Sequence, residues 1–309
     1  MLPFQPDSPQ AAAISNLFIV TLIIAAIIFA IVLVLTTVAI IRFRSRPDTE
    51  EPRQVFGNTK LEIGWTVAPA LLLLGLFIYT AKTMQVSDQP VPAEKQGKDM
   101  VVIGHQWWWE IRYPQYGVVT ANEVHMPVGQ KLSVLFESAD VIHDFWVPQL
   151  GRKIDLVPGH PNNLYLQLNT PGTYFGTCAE FCGAQHAWMR IRVIAQTPED
   201  FAAWIKSQQQ IPQTPASGPA EQGAQLFQQI ACKSCHTIAG TNAQGTVGPD
   251  LTHLASRETI GAGVMDNNQG NLTAWVNDPQ KIKPGINMPA LGLTNQQLQA
   301  IVAYLETLK

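Results

Sequence analysis

Twelve residues, Cys178 to Met189, read CAEFCGAQHAWM and hold two cysteines, a histidine and a methionine. An i, i+4 cysteine pair could close a disulfide, or it could hold zinc tetrahedrally with His186 and a distant histidine. Neither use explains Met189, because zinc rarely takes a thioether. Thiolate, imidazole and a weak methionine together are the ligand set of copper electron-transfer sites. A mononuclear site needs only one cysteine, whereas two thiolates can bridge two copper ions, each ion taking one histidine. His186 supplies one, and the other should come from a separate strand. His143, between apolar neighbours in DVIHDFWVP, is the candidate. Met189 and the main-chain carbonyl of Glu180 would complete the pair as weak ligands. Sharing one electron over two bridged ions keeps the geometry change on reduction small, which suits rapid electron transfer.

The other two cysteines lie in Cys232-Lys-Ser-Cys235-His236. This is C-x-x-C-H, the attachment pattern of c-type haem. On a helix, residues i and i+3 share a face, so both thiols reach one porphyrin and the next imidazole points at its iron. A thioredoxin-like redox pair would need a βαβ context, which is absent around it. The iron needs a sixth ligand, usually Met or His. Met288 in KPGINMPA is expected to supply it, rather than Met265 in the polar run GVMDNNQG, because thioether ligation needs a loop packed on the haem face.

These groups must be carried by a chain of 309 residues, 46% apolar and only 14% charged. An average soluble protein carries roughly 25% charged residues, so the balance points to a membrane component. Net charge is −3 with no basic tract, which argues against nucleic acid as a partner. Residues 14–41 and 63–81 are uncharged runs of 28 and 19 residues, against the ~20 needed to span a bilayer core. Residues 1–13 hold no positive charge, so an anchor is expected in place of a cleaved signal peptide. Between the runs lie Arg42, Arg44, Arg46, Arg53 and Lys60. Positive charge in a short loop places it in the cytoplasm, with both termini and both metal sites on the outer, periplasmic side of the plasma membrane.

Residues 99–195 read as β. Leu132, Val134 and Phe136 alternate, as do Leu164, Leu166 and Leu168, with Pro/Gly turns between runs. Residues 198–207 read as a short helix, and QQQIPQTPASGP as a linker. In the last lobe Thr294 and Gln297 form a capping box ahead of a helix whose face carries Leu298, Ile301, Val302 and Leu305. The expected layout is 1–90 for the N-terminal segment and both spans, 91–207 for the β-lobe, 208–218 for the linker and 219–309 for the helical lobe.

Gly223, Phe227 and Gly248-Pro249-Asp250-Leu251 around the C-x-x-C-H pattern resemble class I cytochrome c. In that family the proline carbonyl accepts a hydrogen bond from the proximal histidine. GHQWWW, SADVIHDFWVPQLGRKIDLVPG and TYFGTCAEFCGAQHAWMRI closely resemble subunit II of cytochrome c oxidase, in the variant that carries its own fused cytochrome c. The resemblance implies a multidomain membrane protein: a two-helix transmembrane hairpin, a cupredoxin-like β-sandwich or barrel, and an all-α class I cytochrome c domain. Quinol-oxidase homologues lack these copper ligands, so that branch is disfavoured.

By the resemblance the dinuclear copper A ligands are His143, Cys178, Glu180, Cys182, His186 and Met189. Covalent haem c sits on Cys232 and Cys235, with iron ligands His236 and Met288. The Glu180 side chain reaches a magnesium ion shared with subunit I. Trp107 is the aromatic through which electrons reach copper, and Glu62 the mouth of a proton path. Asp140 matches a carboxylate beside the histidine ligand, and is equally a turn residue. His105, His125, His160 and His253 are expected to be structural or exposed. The implied role is electron-transfer subunit of a proton-pumping oxidase, passing electrons from an external donor such as a cytochrome c through haem c and copper to subunit I. Oxygen reduction belongs to subunit I, since the two spans contain no histidine to hold a haem. A related terminal reductase and a membrane-tethered copper-storage protein are the rival readings.

Overall fold

The computed structural model describes residues 5–44 and 54–309; Arg46 and Arg53 of the basic loop lie outside them. Two long helices, α1 (Pro9–Arg42) and α2 (Thr59–Ser87), form one unit and pack on each other. Both extend past the uncharged runs, and the lateral surfaces of their apolar stretches are open, as lipid-facing helices require. Pro69 lies within α2. Asn58 caps α2: its Oδ1 accepts from Leu61 N at 3.3 Å, while Glu62 Oε1 accepts from Asn58 N at 3.2 Å. Glu62 therefore has a helix-capping task in this unit.

The second unit comprises the N-terminal segment and everything from Gln89 onward. Its β-lobe contains β1 (Met100–His105), β2 (Trp108–Tyr113), β3 (Val118–Ala121), β4 (Glu123–Pro127), β5 (Leu132–Ser138), β6 (His143–Trp146), β7 (Ile154–Leu156), β8 (Asn162–Leu166), β9 (Gly172–Cys178) and β10 (Arg190–Gln196). The strands form two five-stranded sheets, ordered β3-β2-β1-β5-β8 and β4-β10-β9-β6-β7. Alternating residues bury one shared core: Val102, Ile111, Val134 and Phe136 from the first sheet meet Val124, Phe145 and Val193 from the second. The expected alternation holds, with Val134, Phe136, Leu164, Leu166 and Leu168 buried and Leu132 at the margin. Helix α3 (Pro198–Gln208) closes the lobe, Phe201 and Trp204 packing on Tyr113. Ahead of α1, Asp7 accepts from Asn169 N and Thr170 N, each at 3.0 Å, and from the Tyr174 hydroxyl at 2.7 Å. The N-terminal segment is thereby tied to the β-lobe.

The helical lobe contains α4 (Gly218–Gln229), α5 (Cys232–Cys235), a two-strand ribbon of β11 (Thr259–Ile260) and β12 (Met265–Asp266), then α6 (Gln269–Asn277), α7 (Pro279–Ile282) and α8 (Asn295–Leu305). The ribbon was not expected from the sequence. The capping box of Thr294 and Gln297 forms, and Leu298, Ile301, Val302 and Leu305 are buried. Helices α4 and α8 cross closely at Gly223, where a Cβ would lie 1.9 Å from the Ala300 carbonyl oxygen. Only glycine fits there, and Phe227 packs on Tyr304 beside the crossing.

The two lobes share a buried seam. Glu123, 1% exposed, accepts from Glu258 N (3.1 Å), Thr259 N (2.8 Å) and Thr259 Oγ1 (2.8 Å). Trp108, Ala121 and Ala262 bury together, and Arg190 N donates to Ala262 O. His253, inside the helical lobe, donates from Nε2 to Gln208 O at 2.9 Å. Residues 209–217 between α3 and α4 form no helix or strand and are mostly exposed.

His125 on β4 stacks on Trp204 at 4.0 Å and bonds Gln196 Oε1 through Nδ1 at 3.0 Å. Burial disfavours its cation and pushes its pKa from 6.5 down to about 4. The folded lobe therefore binds fewer protons than the unfolded chain between those values. Its contribution is complete above pH 6.5 and is lost as pH falls toward about 4, at a cost of about 3 kcal/mol. Thermal unfolding across that window should show this acid-side loss in the wild type, and His125→Phe should flatten it.

Candidate metal centre

The loop from the end of β9 to the start of β10 folds back so that its soft donors converge. Cys178 Sγ and Cys182 Sγ lie 3.7 Å apart, far beyond the roughly 2.05 Å of a disulfide, and both are buried free thiols. His143 Nδ1, from β6, faces Cys178 Sγ at 3.9 Å, and Glu180 O lies 3.2 Å from the same sulfur. His186 Nδ1 is 3.7 Å and Met189 Sδ 3.9 Å from Cys182 Sγ. Of the six residues expected from the sequence, two thus form a sulfur pair and four surround it. Two thiolates, two imidazoles, a thioether and a carbonyl fit soft copper better than zinc, which would leave the buried Met189 idle.

Tertiary contacts orient the donors. His143 is fully buried, its Nε2 bonded to Asp140 Oδ1 at 2.8 Å, which leaves Nδ1 free to ligate. Asp140 also accepts from Gln106 N and Val141 N, each at 2.6 Å. Burial would raise the Asp140 carboxyl, but hydrogen bonds from His143 and these amides outweigh it and hold it below the ordinary carboxylate range. Asp140 is therefore both a turn residue and the partner of the histidine. Between the sulfurs, the hydrogen bond from the Cys182 thiol holds Cys178 toward the thiolate, against its burial, and Cys182 is pushed up in turn. A bound metal would deprotonate both.

Trp107 stands beside this loop. Its Nε1 donates to Cys182 O at 2.9 Å, and Gln106 Nε2 donates to the same oxygen at 2.8 Å. Trp109 is buried as core, edge-on to His143 at 6.0 Å. Trp108 stacks on His105 at 4.2 Å and belongs to the lobe seam. His160 is exposed; His105 pairs with Glu110. Glu180 is exposed and lines a cleft with Asp144, Asp155, Asn162, Arg152 and Lys153.

In the helical lobe α5 puts Cys232 and Cys235 one turn apart, both free and half-buried. His236 Nδ1 donates to Pro249 O at 2.8 Å, so Nε2 is the nitrogen left for iron. Burial holds this imidazole neutral, as a ligand must be. A Cβ at Gly248 would lie 2.5 Å from His236 Cε1, which explains the glycine before Pro249. Met288 is half-buried in a loop whose Ile286 and Met288 carbonyls accept from Gln280 Nε2, each at 2.7 Å. The packing argument against Met265 needs correction: it lies on β12 and packs on the helical core, because the ribbon folds its side chain inward.

A family model for the transmembrane domain of cytochrome c oxidase subunit II matches residues 2–82, one for its periplasmic domain matches 117–196, and one for cytochrome c matches 220–309. Cytochrome c oxidase subunit 2 of Alkalihalophilus pseudofirmus is 38% identical over 98% of this chain and 90% of its own length. This chain belongs to the cytochrome c oxidase subunit II family. Quinol oxidase subunit 2 of Bacillus cereus is 34% identical over only 66% of this chain and 72% of its own length. The crystal structure of the periplasmic domain of subunit II of cytochrome oxidase from Bradyrhizobium japonicum is 30% identical over 38% of this chain and 96% of that domain, with a TM-score of 0.36.

As a family member, the chain is a membrane protein with two spans and an electron-transfer subunit of an oxidoreductase complex, which it forms with other oxidase subunits. Its cupredoxin-like and cytochrome c domains bind copper and haem. Sequence reasoning missed the residues that join the lobes. Glu123, an acid flanked by apolar strand residues in NEVHM, and Lys283, in the Pro/Gly turn KIKPG, were the available signals.

A Cβ at Gly104 would lie 2.7 Å from His143 Cδ2. Gly104→Ala should displace that ring at a cost of about 1–3 kcal/mol. Metal analysis should find copper lost and haem retained; Gly248→Ala, crowding His236, should disturb the haem spectrum and spare copper.

Proposed function

We propose that this chain receives electrons from an external donor on a covalent haem c and delivers them to subunit I through a dinuclear copper A centre. Cys232 and Cys235 hold the porphyrin, with His236 and Met288 on the iron. His143, Cys178, the Glu180 carbonyl, Cys182, His186 and Met189 hold the copper pair. The groups supply one-electron transfer, from haem to copper to a haem of subunit I, where oxygen is reduced to water with proton pumping. The observation carrying this reading is the unbonded, buried cysteine pair ringed by two imidazole nitrogens, a thioether and a carbonyl.

The protein's own residues act by holding these donors in fixed places. Asp140 orients His143, and Pro249 orients His236. Trp107, bonded to the Cys182 carbonyl, offers an aromatic contact at the copper loop. The Glu180 carboxylate, with Asp155 and the buried Asp144 whose Oδ1 has no hydrogen-bond partner, suits a hard cation such as magnesium at the subunit I boundary. For Glu62 the capping contact is a sufficient role, and its place at a proton path stays a proposal. The Asp7 contacts favour the N-terminal segment and both lobes sharing one face of the membrane, the periplasmic one by the charge of the loop between the spans.

Electron paramagnetic resonance with metal analysis on the purified complex tests the reading. The expected result is two coppers sharing one unpaired electron together with one haem iron in this chain. One zinc and no copper would overturn it. Cys178→Ser or Cys182→Ser should abolish the shared-electron signal and collapse turnover. Trp107→Leu should leave the haem spectrum unchanged while slowing delivery of electrons to copper, measured by stopped-flow spectroscopy.

A further inference from the structure

The segment after α7 lies across the copper loop. Lys283, 2% exposed, donates from Nζ to Trp188 O of the β-lobe and to Gly261 O of the haem lobe, both at 3.0 Å. Its neighbours extend the contact: Gln185 Nε2 donates to Pro284 O at 2.7 Å, and Asn287 Nδ2 to Gln106 O at 3.2 Å. Trp188, Gln185 and Gln106 adjoin the proposed ligands Met189 and His186 and the proposed electron contact Trp107. Met288 follows at the end of the same segment. A buried ammonium is costly unless its protons are satisfied, and these two carbonyls, one from each lobe, satisfy it only while the lobes are together.

We infer that Lys283 is a positioning residue, a clasp whose ammonium joins the copper loop to the haem lobe and keeps the lobe docked at the Gln106–Trp107 face rather than swinging on its linker. Burial and the charge of Arg190 push Lys283 down to about 8, so it remains a cation at neutral pH. A flexible tether of this length would supply the donor at an effective concentration of about millimolar. The clasp replaces that distribution of positions with one. Separating the lobes breaks the Lys283–Trp188 bond and exposes the Trp108–Ala262 contact. The clasp rests on the metal reading only for what the docking accomplishes, since its hydrogen bonds involve no metal.

The test uses the full-length chain in the assembled complex, with a specific protease site placed in the exposed 211–217 segment. After cleavage the wild-type haem lobe should remain with the complex through washing, Lys283→Met should release it, and Lys283→Arg, which can donate to both carbonyls, should retain it. In uncut complexes, haem-to-copper electron transfer followed by flash photolysis should fall by roughly tenfold or more in Lys283→Met through lost positioning, with copper and haem spectra unchanged. Retention of the cleaved lobe by Lys283→Met overturns the clasp, whatever the rate. So does a wild-type lobe that washes away, or loss of the copper spectrum in the variant, which would make Lys283 a support of the copper loop alone. Failure of the metal reading appears separately, as a wild type without shared-electron copper or haem that still retains its cleaved lobe.

Discussion

Two buried sulfur atoms must stand close without forming a disulfide, and much of the β-lobe is arranged around that constraint. Cys178 ends β9 and Cys182 sits in the loop that returns to β10, so strand pairing of β9 with β10 sets where the loop begins and ends. The Cys182 carbonyl is held by the Trp107 and Gln106 side chains, Ala179 N donates to Asp144 O, and Cys178 N donates to Met189 O. These bonds oppose the collapse of the sulfur pair into a disulfide by fixing the backbone on both sides. Preorganisation of this kind would keep the proposed ligand shell from rearranging when the charge on the centre changes.

The same loop is one wall of the lobe seam. A fused haem lobe could be merely a tethered donor, but its surface carries the complements of specific β-lobe groups. Glu123 is nearly inaccessible and spends its carboxylate on Glu258 and Thr259, while Arg192 pairs with Glu258 at 3.0 Å beside it. Burial raises Glu123, and the Thr259 bonds and the positive charge of Arg257 offset part of that cost. Such groups are expensive to bury without partners, so the seam discriminates against other arrangements of the lobes.

Much was legible in the residues themselves. The uncharged runs, the alternating strands, the capping box and the metal motifs each depend on neighbours close in sequence, and local periodicity and spacing report them directly. Gly223 and Gly248, read only as parts of a resemblance, have physical causes in the tertiary structure, a helix crossing and an imidazole face. Less was legible where one residue type serves two uses: Asp140 is at once a turn former and the anchor of His143, and Glu62 is a helix cap as well as a charge beside a span.

The identity of the soft donors, their order and the two membrane spans were thus written in the linear chain, because ligand type and hydropathy are properties of side chains. Which groups face each other across the lobes was not. Lys283 stands 95 residues from Trp188, and Glu123 stands 136 from Thr259. Met265, expected in a polar run with little apolar packing, is turned onto the helical core by a two-strand ribbon. Pairings at that separation are chosen by the packing of whole sheets and helices, where a buried charge finds its partner only after the surfaces have met.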